Sequence, residues 1–282
     1  MNHPVELLAQ AYLKDIVNNK VKMDSDVIET VVSDIRDALH RQFAGETRQE
    51  FRLRPSNLGR PRCQLWFDKN KPSEGSDLPS NFVINMFLGD VVESIFKGIL
   101  RAMKVEFKDN GKIDMNIEGE NITGEYDLIL NGKVDDVKSA SAWSYKNKFD
   151  SYGSLSAKDA FGYIPQLAIY AKGANVDVGG WWVVNKSNGE FKYISAEQMD
   201  VEDVMKDVKS TVSYINNDEP FERCFEPVVE TYRNKETGNK LLPDECHFCK
   251  YKYDCWNTLE ELPSKTYQGA KEPPMKEYVS LA

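Results

Sequence analysis

The chain has 282 residues, a formal net charge of −9, 41% hydrophobic and 29% charged residues. That length can bury a substantial core, and the composition excludes collagen-like and disordered classes. The acidic balance excludes whole-surface attraction to nucleic acid, because phosphates are held mainly by lysine and arginine, so any nucleic-acid contact has to be local. No run approaches the roughly 18 apolar residues of a membrane helix, and the opening MNHPVELLAQAYLKD lacks a basic stretch followed by a long apolar one. The expectation is a cytosolic protein with no membrane partner, whole from Met1.

Residues 1–50 read as an N-terminal helical extension. From Asp24 to about Phe43 the apolar residues Ile28, Val31, Val32, Ile35 and Leu39 recur at helical spacing, with Asp24 or Ser25 placed to cap the start. A loop rich in Pro, Gly and Arg follows to Pro61, and CQLWFD opens a short ordered segment. Arg48, Arg52, Arg54, Arg60 and Arg62 crowd this stretch, with Glu46 and Glu50 the only nearby acids; it is either a solvated basic loop or a phosphate track. Phe82 to Met103 is again helical, through Ile84, Phe87, Val91, Ile95 and Ile99. The period then falls to two in KVEFKD, KIDMNIEG, GEYDLILNG and KVDDVKSAS, short strands separated by Asn-Gly, Gly and Asn turns, and Asn131-Gly132 is a hairpin signal. A helix over 157–172, strands at Val178 to Val184 and Glu190 to Ile194, and a helix from Val201 to Ile215 complete the pattern. The tail, 263–282, is polar and expected to be loosely ordered.

The alternation in KVDDVKSAS sets Asp136 and Lys138 on one face of a strand and turns Val137 into the packing. A hairpin through Asn131-Gly132 brings Asp127 beside Asp136. Two converging carboxylates repel unless a cation lies between them, and such oxygen ligands suit Mg2+ or Mn2+ rather than zinc. D-x-K alone is a weak signal, since a surface ion pair on a strand is by far the commoner meaning of that pattern. Glu125 and Asp135 compete, each on the opposite parity or off the motif position. On the flanking helices, Gly89 and Glu93 lie four apart on one face, as do Gln166 and Tyr170. There are three histidines, no H-E-x-x-H and no phosphate loop.

Five cysteines in a reducing compartment favour metal ligation over disulfides for any clustered set. DECHFCKYKYDCW supplies Cys246, Cys249 and Cys255, and a closed centre needs one more thiolate. Cys224 would complete a local tetrathiolate zinc site; Cys63 would close a loop nearly the length of the domain.

In order, the motifs are G-x-x-x-E, G-x-x-D, D-x-K and Q-x-x-x-Y, and with them the chain resembles the RecB-like branch of the PD-(D/E)xK nuclease superfamily. The first motif often ends there in histidine; Glu93 looks more like the variant of phage lambda-type exonucleases. One cysteine before the core and C-x2-C-x5-C after it resemble the iron-sulfur subgroup, which includes AddB-type helicase-nucleases and CRISPR adaptation nucleases. The resemblance spans Cys63 to Cys255. It implies an α/β fold, a restriction-endonuclease-like mixed central sheet flanked by helices, in a nuclease domain over 51–262. It implies Asp127 and Asp136 as metal ligands with the Val137 carbonyl, and Glu93 as a ligand direct or through water. Lys138 would orient or deprotonate the attacking water, and Gln166 and Tyr170 would hold the lysine and the DNA strand. Cys63, Cys246, Cys249 and Cys255 would carry a 4Fe-4S cluster, leaving Cys224 an ordinary thiol.

The implied activity is Mg2+- or Mn2+-dependent DNA exonuclease action in replication, recombination or repair, inside a bacterial cell or phage-infected host. DNA, single-stranded or with free ends, and recombination or replication proteins are the implied partners. Arg52, Arg54, Arg60 and Arg62 would touch phosphates, and Trp66, Trp143 and Tyr145 are candidates to stack on bases, although core packing suits Trp66, Trp181 and Trp182 better. The competing readings are a catalytically idle DNA-binding adaptor and a zinc-stabilised nucleic-acid-binding module.

Overall fold

The computed structural model describes residues 3–44, 51–267, 269 and 271–282; Arg48, Glu46 and Glu50 lie outside them. The helices are α1 (Pro4–Val17), α2 (Ser25–Phe43), α3 (Pro55–Leu58), α4 (Arg62–Asn70), α5 (Phe82–Ala102), α6 (Ala142–Asn147), α7 (Tyr152–Ser156), α8 (Tyr163–Ala174), α9 (Val201–Asn216) and α10 (Lys252–Cys255). The strands are β1 (Phe107–Ile117), β2 (Glu120–Leu130), β3 (Lys133–Ala140), β4 (Asp177–Asn185), β5 (Phe191–Ser195), β6 (Val228–Tyr232), β7 (Lys235–Leu241), β8 (Glu260–Pro263) and β9 (Met275–Ser280). The fold is α/β, in two compact units: Met1–Gly59 with Pro79–Ser213, and Arg60–Leu78 with Tyr214–Ala282. No helix of the described residues is long and apolar enough to cross a membrane.

The first unit is built on a mixed sheet in the order β1-β2-β3-β4-β5. Only β3 and β4 pair in parallel, as expected where helices bridge two strands. Asn131 and Gly132 both take positive φ, 52° and 76°, which makes the hairpin turn between β2 and β3. KVEFKD and KIDMNIEG, expected as two strands, are one. Asn110-Gly111 has the composition of a turn, but Gly111 pairs with Tyr126 in the ladder, and the Tyr126 phenol fills the space its Cβ would need.

The helix expected over 157–172 starts later. Gly162 takes φ 75°, and the Asp159 carboxylate accepts the backbone N–H groups of Tyr163 and Ile164 at 2.9 and 2.8 Å, satisfying donors that a helix start leaves unpaired. A Cβ on Gly162 would lie 2.2 Å from the Gly59 backbone, so α3 and the start of α8 meet backbone to backbone. In the same way α2 seats on α5 where Gly98 leaves room for Val31. The core gathers Val5, Phe96, Leu100, Leu128, Leu130, Val137 and Trp182. Trp181 and Trp182 are fully buried, each worth about 4–6 kcal/mol of burial before conformational entropy is subtracted.

The second unit holds an antiparallel sheet in the order β6-β7-β9-β8. Here the expectation for the tail is overturned: Tyr278 and Val279 of β9 are buried, and the Tyr278 hydroxyl donates to the buried Glu230 carboxylate at 3.2 Å. The two buried side chains are adjacent rather than alternating, so no period of two stands out in a polar segment. The β6-β7 hairpin turns on Arg233 and Asn234, both at positive φ, without the glycine that marks such turns.

Candidate active site

Continuing the register Leu128↔Asp135 by one step sets Asp127 across from Asp136. Asp127 is half-buried, and its Oδ2 accepts the Val137 backbone N–H at 2.7 Å. Asp136 is 2% exposed. Its Oδ2 lies 2.6 Å from the Lys138 ammonium, yet neither oxygen receives an aligned hydrogen bond. Burial first, and then the neighbouring carboxylate, raise the pKa of Asp127; burial also raises Asp136, against the pull of Lys138. Glu93, reaching in from α5, is raised to about 7 by burial and by the charge of Asp127. Lys138 loses proton affinity to burial, but Asp136 and Asp127 more than offset that, and its pKa rises.

Lys138 Nζ donates to Gln166 Oε1 at 3.4 Å, and Gln166 Nε2 reaches the Tyr170 hydroxyl at 3.5 Å. One helical turn separates Gln166 from Tyr170, so α8 lays both along β3. The ammonium also sits 5.0 Å from the centre of the Tyr163 ring. The six side chains from Glu93 to Tyr170 therefore gather around β3. Gly89 faces Ser139, and a Cβ there would make only ordinary contact. Val137 turns its side chain into the core, leaving its backbone at the site.

Asp135 behaves differently. It is equally buried, but it accepts the Trp182 indole N–H at 3.0 Å and the Tyr193 hydroxyl at 2.9 Å, on the opposite face of β3. Two lysines escaped the sequence reading. Lys97 is 2% exposed and pairs with Glu93. Lys148 is buried among Phe149, Phe161 and Tyr163, 4.0 Å from Asp159. A lysine one helical turn past a glutamate was the available signal for the first; nothing in the sequence marks the second.

All five cysteines fall in the second unit. Cys224, an ordinary thiol in the cluster assignment and the fourth ligand in the zinc alternative, lies against Cys63: its sulfur accepts the Cys63 backbone N–H at 3.1 Å. The reason is that residues 218–224 run along α4. The Trp66 indole donates to the Glu219 carbonyl at 3.0 Å, Lys69 pairs with Asp218 at 2.6 Å, and Arg62 pairs with Glu222. Burial raises Cys246 to about 12 and also raises Cys249 and Cys255, and a charge on Cys255 is felt by Cys63, Cys246 and Cys249. Among the described residues no three His, Cys, Asp or Glu side chains are arranged to close on a metal ion.

The expected DNA contacts divide. Arg52 is exposed and donates to Thr123 Oγ1 at 2.7 Å; Arg54 uses its backbone N–H on Asn57. Arg60 is half-buried, and Arg62, besides its ion pair, covers the Tyr214 ring at 5.0 Å. Tyr145 has Lys192 over its ring at 4.4 Å. Trp143 is 61% exposed, whereas Trp66 packs on Phe67 and Phe221.

Fold and site together define a mixed α/β protein carrying a carboxylate and lysine constellation on its five-stranded sheet. No family model matches the chain, and no curated protein matches it. Among solved structures it is similar to one described as "Crystal structure of SSO0001", with 13% identity and a TM-score of 0.39 over 64% of this chain and 84% of that one. A likeness of that size carries no argument about fold or activity.

Proposed function

We propose that the first unit is a metal-dependent nuclease that hydrolyses DNA phosphodiesters, acting as an exonuclease on free ends. The observation that carries this reading is Asp136. It is a carboxylate buried beside a second carboxylate, with no aligned donor on either oxygen, and the one ammonium beside it, Lys138 at 2.6 Å, balances only one of the two negative charges. Hard oxygen donors of this kind fit Mg2+ or Mn2+. Asp127 and Asp136 would hold the ion, with the Val137 carbonyl as a third donor and Glu93 at the outer end. The ion, when bound, lowers the pKa of its water and neutralises charge on the phosphoryl oxygens.

The protein's own groups do the positioning. Asp136 and Asp127 keep Lys138 protonated, so the lysine acts as a hydrogen-bond donor to the attacking water or the phosphoryl oxygen rather than as a base. Gln166 accepts from it and is itself held by Tyr170, which fixes the direction of the ammonium. Arg52 and Arg54 would receive the strand's phosphates, with recombination or replication proteins as the class of partner.

For the second unit we propose a 4Fe-4S cluster on Cys63, Cys246, Cys249 and Cys255. The donor set fits in kind: Cys246 is buried and Cys63, Cys249 and Cys255 are half-buried, and a metal stabilises the thiolates that burial disfavours. The contact between Cys63 and Cys224 also favours a second reading, a tetrathiolate zinc site that includes Cys224. Iron, sulfide and zinc analysis of anaerobically prepared protein separates them.

The deciding test is digestion of end-labelled single- and double-stranded DNA with Mg2+ or Mn2+, comparing wild type with Lys138→Ala. Cleavage lost with binding retained is the expected result. A wild-type protein that binds DNA but cleaves nothing with either ion, or an Lys138→Ala variant that cleaves normally, refutes the nuclease.

A further inference from the structure

Lys97 stands one turn beyond Glu93 on α5, and its ammonium is almost sealed from solvent at 2% exposure. Its contacts are three oxygens: Glu93 Oε1 at 2.5 Å, Asp109 Oδ1 at 2.9 Å and Asn110 Oδ1. Asp109 is held in turn by Arg101. The group borders a cleft of about 120 Å³ whose walls include Asp34, Asp37, Asp90 and Glu93. An ammonium cradled by carboxylate and amide oxygens occupies the kind of ligand set that a small hard dication prefers.

We infer that Lys97 takes the place of a second divalent cation at the Glu93 end of the site and so limits the site to one metal ion. This rests on the nuclease reading of Asp127 and Asp136. The Lys97 ammonium already supplies positive charge to the Glu93, Asp109 and Asn110 oxygens, and a dication placed beside it would meet like-charge repulsion that is far stronger in a partly buried setting than in water. A lysine serving stability alone has no need of the carboxylate that faces Asp127, since Asp109 and Asn110 already give it partners on β1. Lys97 is thus a positioning residue: it holds one oxygen of Glu93, the carboxylate that feels the charge of Asp127.

The test counts Mn2+ bound per chain, from the electron paramagnetic resonance signal of free Mn2+ during titration of the full-length protein. Wild type should bind one Mn2+ at the acidic site. Lys97→Ala uncovers the Glu93, Asp109 and Asn110 oxygens and should bind two, a doubling, whereas Lys97→Arg, which keeps a cation there, should bind one. Circular dichroism establishes that each variant is folded. Two ions of similar affinity in wild type, or a single ion in folded Lys97→Ala, overturns the inference. Should Lys97→Ala not fold, the wild-type and Lys97→Arg counts decide: one ion in each supports it, and two in either overturns it. No Mn2+ bound by wild type overturns the reading of the site, and this inference with it. Two ions in wild type leave that reading standing, so the failures are distinguishable.

Discussion

Stability of the metal-free protein should fall as pH rises from about 4.5 to about 7, and a divalent ion should reverse the fall. Glu93 ionises near pH 4.5 in the unfolded chain and near 7 in the fold. Between those values the folded state keeps a proton that the unfolded state has lost, so stability declines with pH. The whole shift is worth about 3 kcal/mol, against the 5–15 kcal/mol that roughly spans the stability of folded proteins. Asp127, Asp136 and Asp135 are raised as well and contribute with the same sign. His3, lowered by burial, contributes the opposite slope near its ordinary value, and Cys224, lowered to about 7 by its hydrogen bond with Cys63, does so above that pH; the raised carboxylates outnumber them. Urea unfolding at pH 5 and pH 8, with chelator and then with Mg2+, is the assay, followed by the fluorescence of the buried Trp181 and Trp182. Asp136→Asn removes one of the facing carboxylates and should flatten the slope. Metal-free stability that is level or rises from pH 5 to pH 8 would refute the electrostatic account of the site.

Other outcomes follow from the same geometry. Gln166→Ala removes the acceptor that steers Lys138, and loss of one hydrogen bond to a charged group should lower kcat by about tenfold or more with DNA binding retained, read by single-turnover cleavage. Asp135→Asn should lower the unfolding free energy by about 1–3 kcal/mol yet leave cleavage by the folded protein intact, because its partners lie across β3 from the site. Gly162→Ala should destabilise by at least about 2 kcal/mol, since it combines a left-handed backbone with a clash against Gly59; chemical denaturation measures it. Cys224→Ser should retain iron if Cys63, Cys246, Cys249 and Cys255 hold the cluster, whereas loss of metal from this variant alone would transfer the ligand role to Cys224.

Much of the first unit was legible because its local signals agree with its packing. The apolar repeat of α2 and α5, the Asn131-Gly132 turn and the alternation through Asp136 and Lys138 each state the structure in a short window. What escaped depends on partners distant in sequence. Gly111 reads as a turn until Tyr126 is laid across it, and α8 starts late because Asp159 and the backbone of Gly59 decide where it can begin. Lys97 looks like helix-surface charge until β1 brings Asp109 and Asn110 over it. The contact of Cys224 with Cys63 spans 161 residues and leaves no local signal, and β9 hid in a polar tail whose two buried side chains are adjacent and give no period.

Asp135 and Asp136 put the physical argument in its sharpest form, since they are neighbours on β3 with the same 2% exposure. The fold can satisfy a buried carboxylate with neutral donors, and does so at Asp135 with an indole and a phenol. One residue on, it supplies no aligned donor and adds a second carboxylate instead. Burying an under-satisfied acid costs several kcal/mol, and packing alone gives no reason to accept that cost when an apolar side chain would fill the space. Lys138 offsets part of it without saturating the oxygens. The imbalance therefore lies where a cation from solution can remove it, and the lysine beside it stays charged for a phosphate that arrives with the metal.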